Sequence, residues 1–128
     1  MVVDSSAVVA ILETEPGSDE LLRRLVEAGV RRISAATLLE ASIVLESKSG
    51  EAAGDQLDLF LARGEIVVED VTAEQIRIAR RAWRRFGKGS GHPAGLNYGD
   101  CFSYALAKAC GEELLYKGGD FGRTDVNV

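Results

Sequence analysis

The sequence predicts an α/β domain: short β-branched strands alternate with helices, which gives a parallel sheet covered on both faces and so three layers. Three stretches carry that reading. Val2-Val3 runs straight into Asp4 and then, with no linker, into the apolar helical pattern Ala7–Leu12. Glu65-Ile66-Val67-Val68-Glu69 is a second β-rich run between helical patterns, and Leu114-Leu115-Tyr116 is a third, just past a helix that Gly111 ends.

The elements follow in order. Ser5 or Ser6 is the expected cap of the first helix, and Glu15-Pro16-Gly17-Ser18 is a turn leading to a helix that Ser18 caps and Gly29 closes. Arg31-Arg32-Ile33-Ser34 reads as a short strand. Ala35–Ser47 is a helix with a wide apolar surface (Leu38, Leu39, Ala41, Ile43, Val44, Leu45), and Gly50 separates it from a helix over Glu51–Ala62. After the strand at 65–69, Thr72-Ala73-Glu74-Gln75 opens a helix with a capping-box pattern, with Ile76, Ala79, Trp83 and Phe86 on one face. Gly87–Gly99 is a loop holding five of the fourteen glycines, which makes the chain too irregular there for a regular element. Asn97–Cys110 is the last helix, and Val126-Asn127-Val128 is a candidate edge strand.

At 128 residues the chain is expected to form one domain, 1–128, large enough to bury a core. No signal-peptide pattern and no apolar run of the ~20 residues a membrane span needs is present, so a cytoplasmic protein is the default and no membrane partner is expected. A net charge of −5 argues weakly against nucleic-acid binding, because the distribution of charge matters more than its sum. Cys101 and Cys110 fall in one helix, roughly 13 Å apart along its axis. They are therefore expected to be unpaired, reduced core residues.

Four carboxylates stand at awkward positions. Asp4 follows the first strand, Glu40 lies in the helix with the wide apolar surface, Asp100 is in the first turn of the last helix, and Asp120 follows the strand at 114–116. Each has a plain alternative: a helix cap for Asp4, a dipole-complementing acid for Asp100, a solvent-facing acid for Glu40, a turn residue for Asp120. In a parallel sheet, however, all four can converge at one end. Clustered carboxylates repel one another and raise each other's pKa unless a cation sits among them. Oxygen donors without thiolate or imidazole suit Mg²⁺, with Mn²⁺ also possible, and such ions serve phosphoryl chemistry.

With those residues in view, the chain resembles the PIN-domain ribonucleases, specifically the VapC-type toxins of bacterial toxin–antitoxin pairs. The matching pieces are Val2-Val3-Asp4-Ser5-Ser6-Ala7, Thr37-Leu38-Leu39-Glu40-Ala41, the block from His92 through Asn97-Tyr98-Gly99-Asp100-Cys101-Phe102 to Ala107, and Leu114-Leu115-Tyr116-Lys117-Gly118-Gly119-Asp120-Phe121. The resemblance implies a PIN-like α/β/α sandwich with a mostly parallel sheet and a Mg²⁺-dependent endoribonuclease. It also implies a homodimer held in check by a cognate antitoxin whose C-terminal segment fills the active-site groove. By position Asp4, Glu40 and Asp100 carry over as an acidic triad with Asp120 as the fourth acid, and Ser5 and Asn97 as supporting residues. Asp125 is a second late acid that could share the role of Asp120.

Arg77, Arg80, Arg81, Arg84, Arg85 and Lys88 recur at helical spacing as one basic stripe, read as lying opposite the Ile76/Trp83 face. It is either a solvated helix face or a track for RNA phosphates or an acidic antitoxin. His92, beside Pro93, is expected to be a loop residue. The rival class is a non-enzymatic receiver-like signalling module using Asp70 and Lys117, but Asp4 has no acidic neighbour of the kind that module uses. A second rival is a PIN scaffold that only binds a partner.

Overall fold

The computed structural model describes residues 1–127. Its first strand, β1 (Val2–Val3), is two residues long and fully buried. β2 (Arg31–Ser34) lies on one side of it, with β3 (Ile66–Glu69) beyond, and β4 (Leu114–Leu115) lies on the other, giving the order β3-β2-β1-β4. Every pairing is parallel, with Val2 opposite both Arg32 and Leu114. The chain winds outward from β1 through β2 to β3, then crosses back to put β4 on the other side. That reversal leaves a crevice beyond the carboxyl ends of β1 and β4, where open α/β sheets bind ligands.

Side-chain alternation along the strands divides the core into two halves. Val3, Ile33 and Leu115 face α1 (Ser5–Leu12), α2 (Ser18–Glu27), α3 (Ala35–Ser49) and α4 (Glu51–Arg63), packing with Val8, Leu25, Ala41, Leu45 and Leu57. Val2 and Leu114 face α5 (Ala73–Phe86) and α6 (Tyr98–Cys110), packing with Phe86, Leu96, Tyr104 and Leu106. The three-layer α/β/α expectation therefore holds, and all four strands run parallel.

Several local expectations are corrected. The cap of α1 is Asp4 rather than a serine: its side chain accepts the Ser6 N–H. The cap of α2 is Gly17, at φ 86°, a left-handed conformation that glycine adopts without strain, and no side chain caps that helix. α2 ends at Glu27, two residues before Gly29. Thr72 caps α5, but Gln75 turns its side-chain amide to the Asp70 carbonyl, so only half of the capping box forms. In α5 the buried residues are Gln75, Ala79, Ala82 and Phe86, and the basic stripe lies opposite this face. Ile76 and Trp83 flank it and are exposed (40% and 43%). The wide apolar surface of α3 is likewise only partly core: Ala41 and Leu45 are buried, whereas Leu39 and Ile43 are exposed.

Cys101 and Cys110 are both free, as expected, but only Cys101 is buried. No strand forms over 124–127: the Asn127 carbonyl takes one hydrogen bond from Leu114 N–H and the segment goes no further as a ladder. Val128, the last residue of that expectation, lies outside the described residues. Among the described residues no helix is long and apolar enough to cross a membrane.

Candidate functional site

Asp4 leaves β1 at the centre of the sheet and is 2% exposed, so it cannot satisfy its carboxylate with solvent. Three donors do so instead. Ser6 gives Oδ2 both its backbone N–H (3.0 Å) and its hydroxyl (2.7 Å), and Ser103 on α6 gives its hydroxyl to Oδ1 at 2.6 Å. The Ser6 hydroxyl in turn accepts the Lys117 N–H at 3.0 Å, which ties the turn bearing Asp120 to the Asp4 carboxylate. Asp4 is thus both the helix cap and a strand-end acid.

Glu40 is half-buried in α3, where Ser5 donates its hydroxyl to Oε1 at 2.6 Å. On its other side is Gly99, in the first turn of α6: a Cβ there would collide with the Glu40 carboxylate, so the glycine is what lets α3 bring its acid up to α6. Asn97 caps α6 in a full capping box. Its side-chain oxygen accepts the Asp100 N–H (2.9 Å), and the Asp100 carboxylate accepts the Asn97 N–H (3.0 Å). The dipole-complementing role of Asp100 is therefore real, and it does not consume the whole carboxylate.

Electrostatics shows the convergence. The Asp100 carboxyl is pushed up to about 6, first by burial and then by the negative charges of Asp4, Asp120 and Glu40, against the lowering effect of its bond from Asn97 N–H. Asp120 is exposed at the crevice mouth, five residues after β4, on the turn that leads into a 3₁₀ turn at Phe121–Arg123. Among the described residues none of the four acids forms an ion pair. No three carboxylate, imidazole or thiol side chains stand together as a ready-made metal cage among those residues either. The donor set still fits a hard divalent cation: it is all oxygen, carries up to four negative charges and has no internal counter-charge.

The other sequence candidates lie elsewhere. Asp125 does not join the four acids. It accepts the Tyr104 hydroxyl and pairs with Lys108 (3.4 Å) and Arg85 (3.6 Å), which pins the C-terminal segment to α5 and α6. Arg77, Arg80, Arg81, Arg84, Arg85 and Lys88 are all exposed along and just beyond α5. His92 sits in the glycine-rich loop with its ring edge-on to Phe86. Asp70 follows β3 on the far edge of the sheet, with β2 between it and β1, which removes the acidic grouping a receiver-like module would need. Sequence reasoning missed Ser6, Ser103, Thr37 and Gly99 as parts of the site. All four lie inside the stretches that carry the family resemblance, but nothing local assigns any of them a role beside the acids.

A sheet of four parallel strands with acids gathered at its switch point defines a class of α/β domain, and the chain matches the PIN-domain family over residues 1–127. It belongs to that family. Within the family it is 52% identical to Ribonuclease VapC of Mycolicibacterium smegmatis over 98% of this chain and 97% of that protein. It is equally close, at 52%, to Ribonuclease VapC28 of Mycobacterium tuberculosis over 98% of this chain and 95% of the relative. Among solved structures it superposes on M. tuberculosis VapC20, a sarcin–ricin loop cleaving toxin, with a TM-score of 0.75 at 20% identity, covering 98% of this chain and 95% of that one. Rickettsia felis VapBC2 bound to a promoter DNA fragment gives 0.76 at 19% identity, covering 99% and 94%. At those identities the superpositions speak for the fold.

Proposed function

We propose that the protein is a metal-dependent endoribonuclease of the VapC type, the toxin of a toxin–antitoxin pair, built as one PIN domain and acting in the cytoplasm. The observation that carries this reading is that Asp4, Glu40 and Asp100 meet at the carboxyl end of β1 without a cationic partner: Gly99, next to Asp100, abuts the Glu40 carboxylate, and Ser103 of the same helix bonds Asp4. The 52% identity to curated VapC ribonucleases over nearly the whole chain supports the same reading. Asp4, Asp100 and Glu40 hold Mg²⁺ (or Mn²⁺), and Asp120 holds a second ion or orients the attacking water. When bound, the ion supplies charge for the phosphate and an activated water. Ser5 and Asn97 fix the directions of Glu40 and Asp100 through the bonds described above.

RNA enters along the exposed basic stripe of α5. In an acidic chain this stripe is the one helical surface with clustered positive charge, and Arg80 and Arg84 rim the α5/α6 groove that Tyr98 also lines. The exposed apolar side chains Leu39, Ile43, Ile76, Trp83 and Tyr98 support a homodimer. An antitoxin partner is supported by the likeness to VapC toxins, one of which is solved as VapBC2, and its C-terminal segment would fill the groove in front of the acids.

The test is cleavage of labelled RNA with Mg²⁺ and with EDTA, by the wild type, Asp4→Asn and Asp100→Asn. Cleavage is expected only with wild type and metal, and cleavage that survives both chelation and substitution refutes the reading. Reversing Arg80 and Arg84 to Glu is expected to weaken binding of RNA or of the antitoxin. If both stay at wild-type strength, the stripe is solvated surface.

A further inference from the structure

We infer that Ser103, backed by Thr37, is a positioning pair that aims the Asp4 carboxylate at the metal. The inference rests on the proposed metal site. Ser103 and Thr37 are 0% and 1% exposed, on α6 and α3, far from solvent and from each other in sequence. Their oxygens are 3.1 Å apart, and the Ser103 oxygen is 2.6 Å from Asp4 Oδ1.

The direction of the chain of bonds follows from proton counting. A serine hydroxyl has one hydrogen, and an ionised carboxylate can only accept. The Ser103 hydrogen therefore points at Asp4, and the Thr37 hydroxyl is the donor to Ser103. Two hydroxyl dipoles are lined up on one carboxylate oxygen, in a dry setting where such bonds polarise one another. The other oxygen, Oδ2, is held by Ser6 from the solvent side. With both oxygens gripped from opposite sides, the side chain cannot rotate away. Oδ1, which takes one bond here, keeps a second lone pair for a cation.

Packing alone does not call for this pair. Both side chains are fully buried, where valine and alanine would fill much the same space. A hydroxyl buried there is costly unless it is bonded, as these two are to each other and to Asp4. Partners of this kind behind a metal ligand typically set metal affinity by about 10–100-fold.

The experiment is titration of the purified protein with Mn²⁺ by calorimetry, with thermal melting as the check on folding. The variants are Ser103→Ala, Thr37→Val, Thr37→Ser and Asp4→Asn. Ser103→Ala is expected to raise the Mn²⁺ dissociation constant by about tenfold or more. Thr37→Val, which keeps the shape and loses the hydroxyl, gives a smaller rise, and Thr37→Ser stays near wild type. Should Ser103→Ala fail to fold, the contrast between Thr37→Val and Thr37→Ser decides. If wild type binds Mn²⁺ and Asp4→Asn does not, while Ser103→Ala and Thr37→Val bind as wild type, the positioning role is refuted and the metal site stands. If wild type and Asp4→Asn bind alike, the metal site fails, and the pair's role with it.

Discussion

Two groups of charges meet the sheet, and they are satisfied in opposite ways. Where β1, β2 and β4 begin, the Met1 amino group bonds the Glu112 carboxylate at 2.9 Å. Arg32 bonds the same carboxylate at 2.9 Å and reaches across to Glu69, the last residue of β3, at 2.7 Å, so positive and negative groups close on one another. Where β1 and β4 end, Asp4, Glu40 and Asp100 are held only by serine hydroxyls and backbone N–H groups, with no cation among them, and Asp120 stands exposed nearby. The first group is complete as folded. The second is stable in geometry but not in charge, and a fold tolerates that arrangement where a ligand completes it. Sign pattern, more than the number of charges, separates the cluster that ties the sheet together from the one proposed to act.

The largest effect that could break this contrast is stabilisation by metal. On the proposed reading, Mn²⁺ at a hundred times its dissociation constant stabilises the fold by about 2.7 kcal/mol, several degrees in melting temperature for a chain of this size. Asp4→Asn is expected to remove most of that rise. A wild-type melting temperature that ignores Mn²⁺ would mean that the acidic cluster is no more completed by a cation than the paired one is.

The contrast was only half legible in the sequence. Asp4 and Asp100 could be read locally, because each sits at a junction that the chain itself marks: a β-branched pair before Asp4, an Asn cap before Asp100. Glu40 depended on helical phase and on resemblance, since the contact that seats it, Gly99, lies on a different element. The roles of Ser103 and Thr37 were out of reach although both lie in stretches that carry the resemblance, because their bonds join residues 99 and 66 positions apart. Apolar periodicity placed Ile76, Ala79, Trp83 and Phe86 on one face of α5, but it does not tell how far the protein's own core covers that face, and Ile76 and Trp83 stand exposed. Cys110, expected in the core because it could not pair with Cys101, is instead exposed at the last position of its helix. The Met1–Arg32–Glu69–Glu112 group escaped sequence reading altogether, since two of its members lie on β2 and β3 and the other two just before β1 and β4, and only the topology brings them together.

A smaller effect sharpens the comparison from the acidic side. Asp100→Asn removes one of four like charges while an amide oxygen still accepts the Asn97 N–H of the capping box. In chelator its melting temperature is expected to rise above that of wild type by a few degrees. In saturating Mn²⁺ the order reverses, because wild type then gains binding energy that the variant has lost. A variant less stable than wild type in both conditions would show that Asp100 acts mainly as a cap.

The smallest effect belongs to the paired group. Burial is the largest single influence on Glu112 and works to raise its carboxyl, but the hydrogen bonds from Arg32 and the Met1 amino group together outweigh it and hold the carboxyl below its ordinary value. A carboxyl lowered by folding adds stability above its unfolded value, about 4.3 for glutamate. That stability is lost as the pH falls through the lower folded value. Glu112→Gln is therefore expected to melt about 2–4 °C below wild type at pH 7, roughly the effect of 1 kcal/mol in a chain this long. The gap closes as the pH drops below about 4.3. Metal should leave the gap unchanged, because Glu112 stands before β4, at the other end of that strand from the acids. Melting curves of the two proteins from pH 7 to pH 3, with and without Mn²⁺, measure both points. A gap that widened with Mn²⁺ would mean that the two ends of the sheet are coupled, and that the charge group at one end helps to shape the site at the other.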